Sequence, residues 1–280
     1  MTADGRERDL KATESDVPPP IDTSVAHSAR IYDYILGGKD NFEADRRAAG
    51  AALANNPSMG VGMRANRALM RRMTAYLAGD LGIRQFLDIG TGLPTSPNLH
   101  EIAQRIAPES RVVYVDNDPI VLAHARALLT SSPEGACTYL DADARDPERI
   151  LADPRLRATL DPSRPAALMF FGFMHFIPDE HDPYGIVARL LGSLPSGSYL
   201  AIQHPTTDFH PPGVGGQAAY RNAGIAFQYR TKDEFARFLD GLELVEPGIT
   251  PMADWRPEIE PGPQLSPAQA SAYAALARKP

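Results

Sequence analysis

The sequence predicts an α/β fold: a mostly parallel sheet with helices on both faces and a nucleotide cleft at the carboxyl ends of its strands. Three stretches predict it. Gln85 to Ser96, QFLDIGTGLPTS, reads as a buried strand, a glycine turn and a helix start. Phe86, Leu87 and Ile89 are apolar, and Gly90 and Gly92 let the backbone bend where a side chain would collide. Ser96 suits an N-cap and Pro97 the first helical position. Arg111 to Pro119, RVVYVDNDP, reads as the next strand, ending in the carboxylate of Asp116. Ala166 to Phe173, AALMFFGF, is apolar throughout, the pattern of a strand buried on both faces. Two βα turns side by side place a nucleotide at the carboxyl ends of parallel strands.

The nucleotide is constrained by charge. A dinucleotide fingerprint, G-x-G-x-x-G, finds its first two glycines in Gly90 and Gly92, but Thr95 stands at the third position. Asp88 lies two residues before Gly90, at the strand tip, where a carboxylate repels a pyrophosphate and favours a sulfonium or ammonium group. Asp116 is placed to accept hydrogen bonds from two ribose hydroxyls. The pattern resembles the D-x-G-x-G turn of class I S-adenosylmethionine methyltransferases. The bland alternative is an ordinary βαβ crossover that holds no ligand.

Along the chain, residues 1–20 are polar and end in prolines, and are expected to be a disordered tail. Ile31, Tyr32, Ile35 and Leu36 share one helical face, and Gly37 is placed to end that helix. Asp40 and Glu43 fit a capping box opening a second helix. After Pro57, Leu69, Met70, Met73, Tyr76 and Leu77 repeat at helical spacing. Arg64, Arg67, Arg71 and Arg72 fall mostly off that stripe and suggest a solvated face, or else a contact with an acidic substrate or a phosphate. Helices are expected over Asn98–Ile106, Pro119–Leu129 and Pro183–Leu194, and strands over Cys137–Leu140, Tyr199–Gln203 and Leu242–Val245. His204 to Gly216 reads as a loop, a further helix starts near Thr231, and Glu246 to Pro267 as a long surface connection carrying Trp255. Ala270–Arg278 is ambiguous between helix and strand. Domain boundaries follow: a tail over 1–20, an N-terminal helical cap over 21–80 and the nucleotide-binding domain over 81–280.

The chain has 280 residues, 43% hydrophobic and 22% charged, a globular composition. No run approaches the roughly 20 apolar residues needed to span a bilayer, and no signal-peptide pattern opens the sequence. Cys137 is the single cysteine, so an intramolecular disulfide is impossible. A net charge of −7 argues against a broad nucleic-acid footprint. Cytosol is the expected location, and neither a membrane nor a nucleic acid is an expected partner.

IDTSVAHSARIYDYILGGKDNFEADR is very similar to the N-terminal signature of the actinobacterial S-adenosyl methyltransferase family, and the likeness continues through FLDIGTGLPT, VVYVDNDPIVLAHARALL, DADARDPERIL, MHFIPDE and ALARKP. It covers nearly everything after Ile21. The resemblance implies a class I, Rossmann-like sheet of seven strands with the last one antiparallel, which makes Ala270–Arg278 a strand. It implies S-adenosyl-L-methionine as cofactor, with Asp88, Gly90, Thr91 and Gly92 forming its turn and Asp116 meeting the ribose. Asn117 would stand beside the adenine and Asp143, followed by Ala144, would receive the adenine amino group. Pro94 and Thr95 depart from the family-wide glycine at the third small position.

Methyl transfer from a sulfonium needs alignment above all, and a general base only when the acceptor is a hydroxyl or a protonated amine. His175, after the apolar run, and His204, after the fifth strand, are the candidate bases; the alternative for each is an ordinary packed histidine. His204, Asp208 and His210 are too loosely spaced to suggest a metal site. Capping explains Gly37, Asp40 and Glu43 but leaves Tyr32, Lys39 and Asn41 over, so Tyr32 and Asn41 are candidates for cofactor contact in a roof over the cleft. The leading function is a methyltransferase acting on a small molecule. Two others stay open: a catalytically silent module binding S-adenosylmethionine or S-adenosylhomocysteine, and a nicotinamide-dependent dehydrogenase, against which Asp88 and Thr95 weigh.

Overall fold

A computed structural model describes residues 22–128, 130–210 and 216–280. The expected tail over 1–20 lies outside them. Eight strands form one sheet: β1 Gln85–Ile89, β2 Arg111–Asp116, β3 Ala136–Asp141, β4 Ala167–Phe170, β5 Tyr199–Pro205, β6 Glu243–Leu244, β7 Thr250–Pro251 and β8 Ala272–Arg278. The order is β3-β2-β1-β4-β5-β8-β6, with the two-residue β7 also on β8. β1 to β5 pair in parallel, and β8 runs antiparallel to β5 with Tyr199 opposite Arg278. The ambiguous Ala270–Arg278 is therefore a strand, and the sheet gains one short strand over the seven expected. Because the chain steps from β1 out to β3 and returns to β4 beside β1, the order reverses between β1 and β4, where open α/β sheets bind ligands.

The period-2 alternation of the strands separates two cores. Phe86, Val112 and Met169 point to one face, with Leu69, Met73 and Leu77 of the helix below; Leu87, Val113 and Leu168 point to the other. The helices are α1 Ser28–Ile35, α2 Glu43–Asn55, α3 Met59–Gly79, α4 Leu99–Ile106, α5 Pro119–Leu128, α6 Pro147–Ala152, α7 Pro154–Thr159, α8 Pro183–Gly192, α9 Gln217–Asn222, α10 Lys232–Ala236 and α11 Pro267–Ala270. Four of them start on an Asp-Pro pair, α5 at Asp118, whose Oδ1 accepts Ile120 N–H at 3.0 Å. The carboxylates of Asp146, Asp153 and Asp182 accept the N–H groups of Arg149, Arg155 and Gly185, and the proline occupies the first helical position, where no N–H is needed.

Several local expectations shift. α4 is capped by Asn98, whose N–H donates to Glu101 Oε2 at 3.0 Å, and Ser96 Oγ donates to the same oxygen; Ser96 is not the cap. α2 is boxed by Asp45, not by Asp40 and Glu43: Asp45 accepts Phe42 N–H and His27 N–H, both at 2.8 Å, so one buried carboxylate serves two segments. Ile106, expected inward, is 44% exposed. Ala125, Leu128 and Leu129 lie outside the described side chains. The basic face of α3 is largely not solvated. Arg72 is buried and donates to Trp255 O at 2.9 Å and Met252 O at 3.0 Å, Arg71 pairs with Glu260, and only Arg64 is exposed.

α3 shares the core of the sheet, whereas α1 and α2 sit apart from it. Ile31, Ala48, Ala49 and Ala52 pack with Ala219, Tyr220 and Phe227, so the cap is completed by α9 and the segment after it. The glycine break between α1 and α2 has a steric cause. Gly37 is left-handed at φ +87°, and a Cβ on Gly38 would fall 1.9 Å from Asp33 Oδ1. Through that gap the Asp33 carboxylate accepts Asp40 N–H at 2.9 Å and the Asn41 amide at 2.8 Å.

Candidate active site

The glycine turn after β1 is shaped by both glycines, for different reasons. Gly90 has φ +72°, and a Cβ there would stand 2.2 Å from the Phe173 ring, which lies directly over the turn. Gly92 has φ +68°, and nothing lies within 4 Å of where its Cβ would be: the space above it is the open cleft. Gly92 N–H donates to Asp116 Oδ2 at 2.7 Å, and Asp118 N–H to Asp116 Oδ1 at 3.0 Å. Asp116 is thereby fixed at the tip of β2 with each oxygen keeping a lone pair for a ligand. Asp88, at the tip of β1, accepts Thr91 Oγ1 at 3.1 Å.

Charge in this half of the cleft is predominantly negative, from Asp33, Asp88 and Asp116, with one guanidinium opposite, that of Arg67. Burial raises the Asp88 carboxyl to about 7, although the Thr91 hydroxyl and Arg67 pull the other way. Burial raises Asp116 as well, against its two N–H donors and His27. A cation placed between them would restore both to the ionised form. Arg67 reaches in from α3 and donates to Pro97 O at 2.9 Å and to Thr95 O. The Tyr139 hydroxyl lines this space and is buried without a partner.

A second lobe continues past Asp116, lined by Asn117, Asp143, Ala144, Arg145 and Ile177, and shares Gly90, Asp116 and Phe173 with the first. Asp143 accepts Arg145 N–H at 2.9 Å and its guanidinium, and the Asn117 amide lies 3.4 Å away. Its carboxyl is held below the usual carboxylate range by Arg145. The structure thus brings Asp88, Gly90, Thr91, Gly92, Asp116, Asn117, Asp143 and Ala144 into one cleft.

Of the two roof candidates, Tyr32 lines the cleft. Its hydroxyl donates to Met63 O at 2.9 Å and accepts the Asn66 amide at 3.3 Å. Asn41 is not brought there: it is buried under the glycine break, bonded to Asp33 and to Arg46 Nε at 2.8 Å. The cap is tied to the cleft instead by His27 and Arg30. His27 Nδ1 lies 3.0 Å and Arg30 Nε 3.2 Å from Asp118 Oδ2, two residues past Asp116.

The two histidines differ. His204 is not a loop residue. β5 runs on to Pro205 because β8 continues opposite it, pairing His204 with Tyr273 and Pro205 with Ala272. Its Nδ1–H donates to Pro205 O at 2.8 Å and its Nε2 accepts from Arg230 at 2.7 Å, so both ring nitrogens are occupied in a buried site away from the cleft. Burial and the Arg230 charge push its pKa down to about 3. The candidate base His204 is therefore a structural residue. His175 lies in a short turn, Met174–Phe176, and lines a third space, next to the cleft, with its Nδ1 buried and unpartnered. Burial, then His204 and Arg230, keep this imidazole well below its ordinary pKa and neutral. Trp255 packs edge-on to Tyr76, away from either space. Asp208 is engaged by Lys232 N–H and the Tyr273 hydroxyl. Among the described residues no group of three His, Cys, Asp or Glu could hold a metal ion.

Sequence reasoning missed His27, Asn66, Arg67 and Phe173. Arg67 carried a signal, as a cation off the apolar stripe of its helix. Phe173 carried a weaker one, since it follows Gly172, a left-handed residue that ends the strand run.

Comparison with known proteins places this geometry. The sequence profile of the S-adenosyl methyltransferase family matches residues 14–280. The chain is 53% identical to a DUF574-family protein of Streptomyces avermitilis, whose crystal structure superposes with a TM-score of 0.89 over 93% of this chain and 100% of that one. It is 42% identical to a candidate methyltransferase of Thermobifida fusca, with a TM-score of 0.85 over 94% and 98% of the two chains. A 60-residue stretch is 40% identical to ribosomal RNA small subunit methyltransferase H of Halorhodospira halophila, spanning 21% of this chain and 18% of that protein.

Proposed function

The chain belongs to the S-adenosyl methyltransferase family, and we propose that its cleft serves the transfer of a methyl group from S-adenosylmethionine to a small-molecule acceptor lying beside Tyr32 and Asn66. The observation that carries this reading is continuity. The cleft and the space lined by His175 share Ser28, Tyr32, Asn66, Gly172 and Phe176, so two ligands can meet there.

The residues present fit the cofactor. The open space over Gly92 accepts a chain that a Cβ would obstruct, the orphaned Tyr139 hydroxyl offers an unused hydrogen bond, and Asp88 and Asp116 are strand-tip carboxylates with acceptor capacity to spare. In this reading Asp116 holds the ribose hydroxyls, and Asn117, Asp143 and Ala144 border the adenine. Thr91 and Gly92 shape the turn beneath the methionine part, whose ammonium Asp88 attracts and whose carboxylate Arg67 faces. When bound, the cofactor would supply an electrophilic methyl group, whose transfer to an acceptor heteroatom would leave the sulfur as a thioether and release the acceptor's proton. His175, neutral and on the acceptor side, is placed to take up that proton. A small acceptor is supported by the scarcity of cations: among the described residues Arg67 and Arg145 are the only arginines or lysines lining the cleft, too few to hold a phosphate backbone.

The test is calorimetric titration of S-adenosylmethionine and S-adenosylhomocysteine into the parent and Asp116→Ala proteins. Charged hydrogen bonds are worth roughly 1.5–3 kcal/mol each, so an affinity loss of at least about tenfold is expected. Unchanged affinity in a variant that still melts cooperatively would reject the site.

A further inference from the structure

The space lined by His175 has a composition unlike the cleft it adjoins. Its walls are Met59, Tyr220, Phe227 and Tyr229, with Met252 and α11 behind, and among the described residues none that lines it is Asp, Glu, Lys or Arg. The rings form a continuous set: His175 lies over Phe176 at 4.0 Å and Phe227 at 4.7 Å between centroids, and Phe227 meets Tyr220 at 5.1 Å. Three of the lining residues carry a buried polar atom without a partner among the described residues: Asn66 Oδ1, His175 Nδ1 and His210 Nε2. Asn66 is 6% and His175 8% exposed, so solvent does not satisfy them. Leaving such an atom unpaired is costly, and a pocket whose lining residues carry three of them is suited to a guest that pairs with them.

Each feature narrows the guest. Absence of any charged lining residue excludes a carboxylate, a phosphate or an ammonium, since a buried ion without a counter-charge is strongly disfavoured. Aromatic walls favour a flat ring system, which stacks or meets them edge-on. Asn66 Oδ1 only accepts, because its amide nitrogen is committed to the Tyr32 hydroxyl; it calls for an O–H or N–H on the guest. Asn66 also stands where this pocket opens into the cleft.

We infer that the pocket takes an uncharged aromatic molecule bearing a hydroxyl or amino group, and that Asn66 receives the hydrogen bond of that group and so turns it towards the cofactor cleft. This rests on the methyltransferase reading above and specifies its acceptor. Asn66 is a positioning residue for the acceptor, and His175 its neighbour along the wall.

The test uses a matched pair of fluorescent probes on the full chain saturated with S-adenosylhomocysteine. N-phenyl-1-naphthylamine is an uncharged aromatic amine; 8-anilino-1-naphthalenesulfonate has the same rings and a sulfonate. The uncharged probe is expected to bind at least tenfold more tightly than the anion. Ala268→Trp, at the half-exposed pocket rim, is expected to weaken it at least tenfold while calorimetry shows unchanged affinity for S-adenosylhomocysteine. Asn66→Leu, similar in size but without the acceptor oxygen, is expected to weaken it threefold or more; if that variant does not fold, the rim variant decides. Equal binding of the two probes, no binding of the uncharged one, or binding indifferent to Ala268→Trp would overturn the inference. Failure to bind S-adenosylhomocysteine at all would instead reject the cofactor reading, so the two failures are distinct.

Discussion

Nδ1 of His27 stands 3.0 Å from Oδ2 of Asp118 and 3.3 Å from the N–H of Ala29 at the start of α1. The atom cannot accept from Ala29 and donate to Asp118 at once. Burial disfavours the charged ring, but the hydrogen bond and charge of Asp118, with Asp116 beyond it, outweigh burial and raise the His27 pKa above 6.5. Below that value the proton sits between His27 and Asp118 and fastens the cap to the end of β2.

The sign of the pH effect follows. A histidine whose folded pKa is raised contributes its full stability below the unfolded pKa and loses it as pH rises through the folded one. His27→Gln is therefore expected to be less stable than the parent by roughly 1–2 kcal/mol at pH 6, the scale of one charge-assisted hydrogen bond. The gap should shrink towards pH 9. Urea titrations of both proteins at these two pH values check it; a gap that does not change with pH removes His27 from the latch.

Asp88 gives the opposite slope, and for binding. With its carboxyl near 7 in the free protein, it is protonated below that pH, and attraction of a cation requires the proton to leave. Affinity for S-adenosylmethionine is expected to fall as pH drops from 7 to 5, by up to about tenfold per unit, and to be flat in this term above pH 8. Asp88→Asn should bind weakly at every pH, without the slope. Calorimetry across the range decides, and a parallel slope in the variant would assign it to another group.

Arg230 is buried, yet it donates to His204, to Met174 O at 3.3 Å, to Ile177 O at 3.0 Å and to Asp179 at 2.7 Å. It thereby staples the turn carrying His175 to β5. Arg230→Met keeps the apolar stem but orphans Ile177 O and the His204 ring nitrogen, while Met174 O keeps the Ile177 N–H and Asp179, half-exposed, stays solvated. A loss of about 2 kcal/mol is expected, roughly 1 kcal/mol for each of the two acceptors left unpaired. Thermal and urea unfolding of the variant measure it, and a change below about 1 kcal/mol would show that the turn holds itself.

What the sequence made legible is what it encodes locally. Asp88, Gly90, Gly92 and Asp116 stand within short stretches whose period and composition specify a strand, a turn and a carboxylate, and the structure joins them as expected. What escaped depends on partners far along the chain. Arg72 looked solvated, but the carbonyls of Met252 and Trp255, 180 and 183 residues away, draw it inside. His204 looked like the first loop residue, since nothing in PTTDFHPPG shows that β8 pairs as far as Ala272. Asp45 outcompetes the local box of Asp40 and Glu43 because it also takes the His27 N–H, a bond across 18 residues. Tyr220 and Phe227 gave no sign of lining an acceptor pocket, because only the tertiary fold sets them against His175.

The cap of α1, α2 and α9 has a bearing on how the molecule comes into being. Its first two helices are synthesised well before Ala219, Tyr220 and Phe227, which cover their buried side and follow after β5. Closing a loop of that length costs entropy that only the intervening sheet can offset by bringing the ends together. The nascent helices must therefore wait, their apolar faces Ile31, Ala49 and Ala52 uncovered, until β5 and the segment after it have been made. Roofing of the site is a late event in biogenesis, and a prematurely truncated chain would keep the glycine turn while lacking the shelter above it.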